Sequence, residues 1–244
     1  MCSYTLVSIL LLVVALSGNP TAALDKRIEN GTTAIDGQYP YLVSLRSNGE
    51  HWFGGSILNT RWILTSPYFF MNNLPNVTVV VGTNTLNAGG SIYQVDSYII
   101  HPLFNVLYYA AGLANTTTPI VYSIKVQPIT LTNLVPFDGV VAVIAGWGVN
   151  ESSSALPVNE LNTLNTITIN FTECKNRFSQ IINLGSTNIC TFVEHAGACR
   201  FDNGGPLTVC NMQVGIALTS TCGRNLPDVH TKISSIYDWI MSII

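Results

Sequence analysis

Residues 77–100 read VTVVVGTNTLNAGGSIYQVDSYII. A β-branched run stops at Gly82, and a second run begins at Ser91 after a turn-rich stretch ending in Gly89-Gly90. Short apolar or alternating runs bounded by turn residues are strand signals. The pattern recurs in both directions, in YLVSLR (41–46), RWILTS (61–66), VVAVIAGWG (140–148), LNTITIN (164–170) and QVGIALT (213–219). Many short strands without alternating helical segments predict an all-β sandwich or barrel. Two segments differ. NFTECKNRFSQII (170–182) tolerates a helix, and in ISSIYDWIMSII (233–244) residues Ile233, Ile236, Tyr237, Ile240, Met241 and Ile244 follow helical spacing, predicting an amphipathic terminal helix.

The 244 residues allow one large all-β domain or two smaller ones. An apolar content of 48% supports a sizeable core, whereas charged residues are only 9%, far below the usual ~25%. Surface polarity must then come from Asn, Ser and Thr, or from sugar. Leu6 to Leu16 form a greasy run followed by Gly18, Pro20 and Thr21-Ala22-Ala23. This is the layout of a secretory signal, expected over 1–23, and the run is too short for a membrane anchor, which needs ~20 apolar residues. The product is expected to be secreted and extracellular, with no membrane partner. Five sequons, at Asn30, Asn76, Asn115, Asn150 and Asn170, fit a glycosylated exported surface. If Cys2 leaves with the signal, Cys174, Cys190, Cys199, Cys210 and Cys222 remain, an odd number. The net charge of −3 and the lack of a basic cluster argue against nucleic acid. His51, His101, His195 and His230 are scattered without metal-ligand spacing, so no metal and no cofactor is expected, and each histidine reads as structural or superficial. Trp147 and Trp239 read as core.

Ordered blocks point to one family. RIENGTTAIDGQYPYLVSL (27–45), HWFGGSILNTRWILTSPYF (51–69), IIHPLFN (99–105), TPIVYSIKVQPITL (118–131), VIAGWG (143–148), ICTFVEHAGACRFDNGGPL (189–207) and PDVHTKISSIYDWI (227–240) resemble, in order, the chymotrypsin/trypsin-like serine proteases. The wording is most like insect chymotrypsins. The resemblance implies two six-stranded antiparallel β-barrels with a cleft between them, roughly 28–137 and 138–232, then a terminal helix over 233–244. A short propeptide would occupy 24–27, with an activating cut between Arg27 and Ile28.

That family hydrolyses peptides with a serine nucleophile, a histidine base, an orienting aspartate and a backbone oxyanion hole. The matching positions here hold Asn203, Tyr68 and Ala110, and Phe201 replaces the oxyanion-hole glycine. A carboxamide is a poor nucleophile, and a phenol with a pKa near ~10 is a poor base at neutrality. Phe201 is expected to rotate the amide away or push its ring into the cleft. On this basis the chain is expected to be catalytically degenerate and not an enzyme, acting by protein binding as decoy, cofactor or secreted effector. The alternatives are a serine-type endopeptidase with a residual or displaced mechanism, and a glycoprotein without a specific partner. The expected partner is a protein, such as a protease, an inhibitor or a host or haemolymph protein, bound by a monomer.

The resemblance also implies disulfides Cys174–Cys190 and Cys199–Cys222, and leaves Cys210 as a free thiol. The family's cysteine pair beside the base is Phe53 and Phe69, whose rings could pack in place of a bridge. Asp202 would pair with the ammonium of a new N-terminus at Ile28. Gly197 and Asp228 mark the vestigial specificity pocket.

Overall fold

The computed structural model describes residues 31–71, 73–149, 156–178, 183–219 and 221–244. The signal and propeptide segments, Arg27, Ile28, Asn30 and Asn150 lie outside the described residues. The strands in chain order are β1 Thr32–Thr33, β2 Leu42–Ser47, β3 Glu50–Ile57, β4 Trp62–Thr65, β5 Val77–Val81, β6 Ser91–Ile100, β7 Gly112–Thr116, β8 Thr130–Leu131, β9 Val141–Gly146, β10 Asn162–Ile169, β11 Asn188–Phe192, β12 Pro206–Val209, β13 Met212–Thr219 and β14 Asp228–Lys232. Three short helices, α1 Tyr68–Met71, α2 Phe171–Arg177 and α3 Tyr237–Met241, complete the set, with a 3-10 turn over Ile233–Ser235 before α3.

Two antiparallel six-stranded barrels result. The first closes in the order β2-β3-β4-β7-β6-β5, and the second runs β9-β10-β11-β14-β13-β12 and returns to β9. Closure removes exposed edges. In the first barrel the residues at i and i+2 point inward, so Val43, Leu45, Val79 and Val81 join Ile57, Ile63, Ala114 and Phe69 in one core. In β10 the inward set is Asn162, Leu164, Thr166 and Thr168, and the residues between them are less buried.

The β2–β3 hairpin fixes the part of the first barrel that matters most below. Its loop is Asn48-Gly49, with φ of 50° and 84°. Positive φ at both central residues marks the turn whose twist matches the flanking strands, and Asn-Gly is its preferred sequence. A bulge between Leu45 and Arg46 then brings Arg46 opposite His51.

The terminal helix is shorter than the sequence pattern predicts. Ile236 has a φ of −125°, which separates the 3-10 turn from α3. The buried face is as expected for Ile233, Ile236 and Ile240, which pack with Leu64 and Leu113 of the first barrel and Ile216 of the second. Met241 is exposed. The helix therefore ties the two barrels together.

Cys174–Cys190 and Cys199–Cys222 are disulfides, as the resemblance implies. The free thiol expected at Cys210 is corrected: Cys210 is disulfide-bonded. The Phe53 and Phe69 rings meet edge to face at 5.6 Å between centroids, with Phe69 fully buried. An aromatic contact stands where the family resemblance places a bridge.

Candidate functional site

The two barrels touch where β3 meets the turn before β12. Gly54 N–H donates to the Asn203 carbonyl at 2.9 Å, and a Cβ on Gly54 would sit 2.9 Å from the Gly205 backbone. Gly204 has a φ of +81°, and a Cβ there would collide with Thr65 Oγ1 at 2.4 Å. The Gly-Gly pair is therefore demanded by this approach of two chains, whatever residue precedes it.

The three positions read from the sequence as degenerate fall around this junction. Tyr68 opens α1, donates from its hydroxyl to the Val106 carbonyl at 2.7 Å and packs edge to face on Phe104. Burial pushes its pKa upward. Ala110 is buried, and its carbonyl accepts from Thr231 Oγ1 at 3.0 Å. Tyr68 and Ala110 belong to one apolar cluster with Leu218, Val229 and Cys190. Asn203 is half-buried, on the turn between Asp202 and Gly204.

Phe201 does not stand its ring free in the cleft, which was one of the two outcomes expected. Its backbone keeps a glycine-like φ of 78°, a strained value for a residue with a side chain. Its ring is only 8% exposed, lies 6.3 Å from the His51 ring, and carries the Arg200 guanidinium 4.7 Å from its centroid. Burial of the ring offsets the backbone cost.

Behind Phe201 lies a polar chain that sequence reading did not find. The Phe201 carbonyl, 3.1 Å from His51 Nε2, can only accept, so Nε2 carries the hydrogen. Nδ1 is then bare and accepts from the Ser44 hydroxyl at 2.8 Å. Ser44 Oγ in turn accepts from Arg46 Nε at 3.0 Å. Ser44 and His51 are 1% and 5% exposed. Burial is the main cause that drives the His51 pKa down to about 3; the Phe201 carbonyl opposes it and the Arg46 charge adds to it. The imidazole is neutral near pH 7. Ser44 and Arg46 share a strand face by alternation, and the Asn-Gly hairpin returns His51 to them. The Asn-Gly turn flanked by apolar strands was the signal that could have located this pair.

Asp202 follows directly. It is 1% exposed; Oδ1 accepts from Gly148 N–H at 2.7 Å and Oδ2 from Cys199 N–H at 2.8 Å. A Cβ on Gly146 or Gly148 would fall 2.0 Å from a carboxylate oxygen, which is why AGWG is needed beside it. Burial outweighs the two donors and lifts its pKa to about 7. Asp228 behaves alike: it accepts from Ala198 N–H at 2.7 Å and from Thr221, and burial lifts its pKa to about 7. Its carboxylate lies over Gly197, where a Cβ would sit 2.9 Å from Oδ2. Gly197 and Asp228 are thus adjacent. His230 is buried on β14 with Nε2 3.0 Å from Thr191 Oγ1, and burial lowers its pKa to about 3.

The surface over His51 is an open cavity of about 450 Å³, whose lining includes Arg46, Glu50, Trp52, Leu156, Arg200 and Phe201. It offers an apolar floor with charges of both signs at its rim, suited to a polypeptide segment. Among the described residues no cluster of three or more His, Cys, Asp or Glu could hold a metal, and no helix is long and apolar enough to cross a membrane.

Comparison with known proteins agrees with this architecture. The family model described as Trypsin matches residues 28–240. Chymotrypsin-2 of Vespa crabro is 34% identical over 220 residues, 87% of this chain and 98% of the relative. The clotting factor G beta subunit of Tachypleus tridentatus is 29% identical, covering 89% of this chain and 79% of its own length. Mouse neuropsin, a serine protease of the limbic system, superposes with a TM-score of 0.80 at 26% identity, over 87% of this chain and 98% of that one.

These findings correct one expectation. The sequence reading treats the chain as a non-enzyme because Tyr68, Ala110 and Asn203 stand at the three catalytic positions. The relatives are named as proteases, and a hydroxyl–imidazole pair, Ser44–His51, together with the Asp202 carboxylate is present. Absence of enzymatic activity does not follow from those three replacements.

Proposed function

Because the chain belongs to the trypsin family, we propose that it is a secreted serine-type endopeptidase with a displaced mechanism. It holds a polypeptide in the cleft between the barrels and does not use positions 68, 110 and 203 as base, orienting acid and nucleophile. The observation that carries this reading is the Ser44–His51 contact of 2.8 Å under the cavity at Phe201. A neutral imidazole accepting from a hydroxyl is the pairing that lets a serine add to a carbonyl while its proton passes to nitrogen. Two features shape the kinetics. A pKa of about 3 makes His51 a weak base, and Ser44, buried inside the closed barrel, meets substrate only through a local opening. Turnover is therefore slow relative to relatives with an exposed nucleophile.

A second reading is favoured by the Asn203 carboxamide and the tucked Phe201 ring: action through protein binding, as decoy, cofactor or secreted effector. Both readings share maturation, in which cleavage between Arg27 and Ile28 supplies an ammonium for buried Asp202.

Incubation of the purified, trypsin-treated protein with a fluorophosphonate, followed by peptide mapping, tests the choice. Label on Ser44 that is lost in His51→Gln supports the displaced mechanism. An unlabelled protein that still captures a polypeptide protease inhibitor supports the binding reading.

A further inference from the structure

The outer face of the second barrel carries apolar surface that the cleft does not use. Phe137 is 86% exposed, and Val135, Val141, Ile167 and Phe171 are also exposed. Their backbones adjoin one another. Val141 and Ile167 are register partners across β9 and β10. Thr168 Oγ1 donates to the Phe137 carbonyl at 2.7 Å, and Gly139 N–H donates to the Thr168 carbonyl at 2.7 Å. A shallow cavity of about 270 Å³ lies in the same surface, with Val135, Asp138, Thr168 and Phe171 in its wall. Exposed apolar surface gathered this way marks a contact site or an aggregation liability unless something covers it.

Asn170, Phe171 and Thr172 form a sequon within this surface. Asn170 is exposed, and its two amide atoms have separate tasks. Oδ1 accepts from Thr172 N–H at 2.8 Å and caps α2. Nδ2 points toward Asp138, with Oδ2 3.1 Å away. Nδ2 has a second hydrogen, so a substituent replacing it leaves both the cap and the Asp138 contact intact and starts beside the Val135–Asp138 segment. Asn115 differs: it lies within β7, half-buried, opposite Trp62 and Ser97.

We infer that Asn170 carries an N-linked glycan whose first sugars cover the apolar surface around Phe137 and Phe171. The inference rests on the export reading. In the transfer, Nδ2 forms a bond to the anomeric carbon of an oligosaccharide carried on a polyprenyl diphosphate. The sugar C–O bond breaks, the diphosphate leaves with the electron pair, and one Nδ2 proton passes to a base of the transferring enzyme. The axial C–H face of an N-acetylglucosamine is itself apolar and stacks on aromatic rings, so the occupant matches the surface it meets.

The test uses the full chain with its own leader, expressed in insect cells. Release of glycans by amidase in heavy-oxygen water marks each occupied Asn by mass. Asn170 is expected to be marked in most molecules and Asn115 unmarked. Thr172→Ala removes the sequon while keeping the N–H that Asn170 caps. It is expected to raise binding of an apolar dye several-fold and to promote concentration-dependent self-association. Adding Phe137→Ser is expected to return both to the wild-type level. A secreted chain unmarked at Asn170 overturns the inference, as does an occupied Asn170 whose loss leaves dye binding unchanged. A chain retained in the cell and unmodified overturns it together with the export reading. None of these results bears on hydrolysis.

Discussion

The Ser44 hydroxyl donates to Nδ1 of His51 at 2.8 Å, and that single contact orients a histidine whose other nitrogen is committed to the Phe201 carbonyl. Ser44→Ala leaves the buried His51 Nδ1, and the half-buried Arg46 Nε, without the hydroxyl. The cost of such orphaned groups is about 1–3 kcal/mol. Urea denaturation at pH 7 is expected to show a loss in that range. Ser44→Thr, which keeps the hydroxyl, is expected to lose less.

Four buried titratable groups give opposing pH dependences. The His51 and His230 pKa values are lowered to about 3, so their contribution is present above their ordinary value and is lost as pH falls through about 3. Those of Asp202 and Asp228 are raised to about 7, so their contribution is present at low pH and is lost as pH rises through about 7. Between the ordinary carboxylate and histidine values, the unfolded chain binds protons on the two histidines and the folded chain on the two aspartates. The slopes cancel. Stability of the uncleaved protein is therefore expected to be nearly flat in that window. His51→Gln removes one proton from the unfolded side, and stability then falls by about 1.4 kcal/mol per pH unit as pH rises. A flat profile in this variant counts against the buried protonated aspartates.

The Phe53–Phe69 contact stands where the resemblance places a covalent bridge. Phe69 is fully buried and Phe53 is only partly so. Phe69→Ala is expected to cost about 3–5 kcal/mol through lost burial and the cavity left behind. Phe53→Ala is expected to cost less, as read from denaturation midpoints at constant m-value.

Cleavage after Arg27 is expected to change the pH profile through Asp202. An ammonium beside a buried carboxylate favours its ionised form and pulls its pKa back down. Trypsin-treated protein, with Ile28 confirmed by N-terminal sequencing, is expected to gain stability at pH 7 over the uncleaved chain. Asp202→Asn abolishes that gain. Equal stability of both forms at pH 7 contradicts the pairing.

Much of the architecture was readable because β-branched and apolar runs are bounded by turn residues. β5, β6, β9, β10 and β13 all fall within such runs, although of these only β10 alternates buried and less buried positions. Strand β7 was not readable: Gly112–Thr116 is buried on nearly every position and is built from Gly, Leu, Ala, Asn and Thr, without alternation. β12 begins at Pro206 and spans four residues, too short for a period to show. The ordered blocks of the resemblance supplied the junction around Gly54, Asp202 and Gly205. The Ser44–His51 pair stayed hidden because its meaning depends on a bulge and a two-residue turn rather than on spacing. The place of the Phe201 ring was not legible because its burial was not weighed against backbone strain.

The measurement that tests the account most directly is the rate of polypeptide hydrolysis by homogeneous, trypsin-activated protein after removal of the trypsin, compared with Asn203→Ala and His51→Gln. The displaced mechanism predicts slow hydrolysis that Asn203→Ala leaves within about twofold and His51→Gln reduces by at least about 10²-fold. Hydrolysis that disappears with Asn203→Ala, or that survives His51→Gln unchanged, contradicts it, as does wild-type protein that cuts nothing.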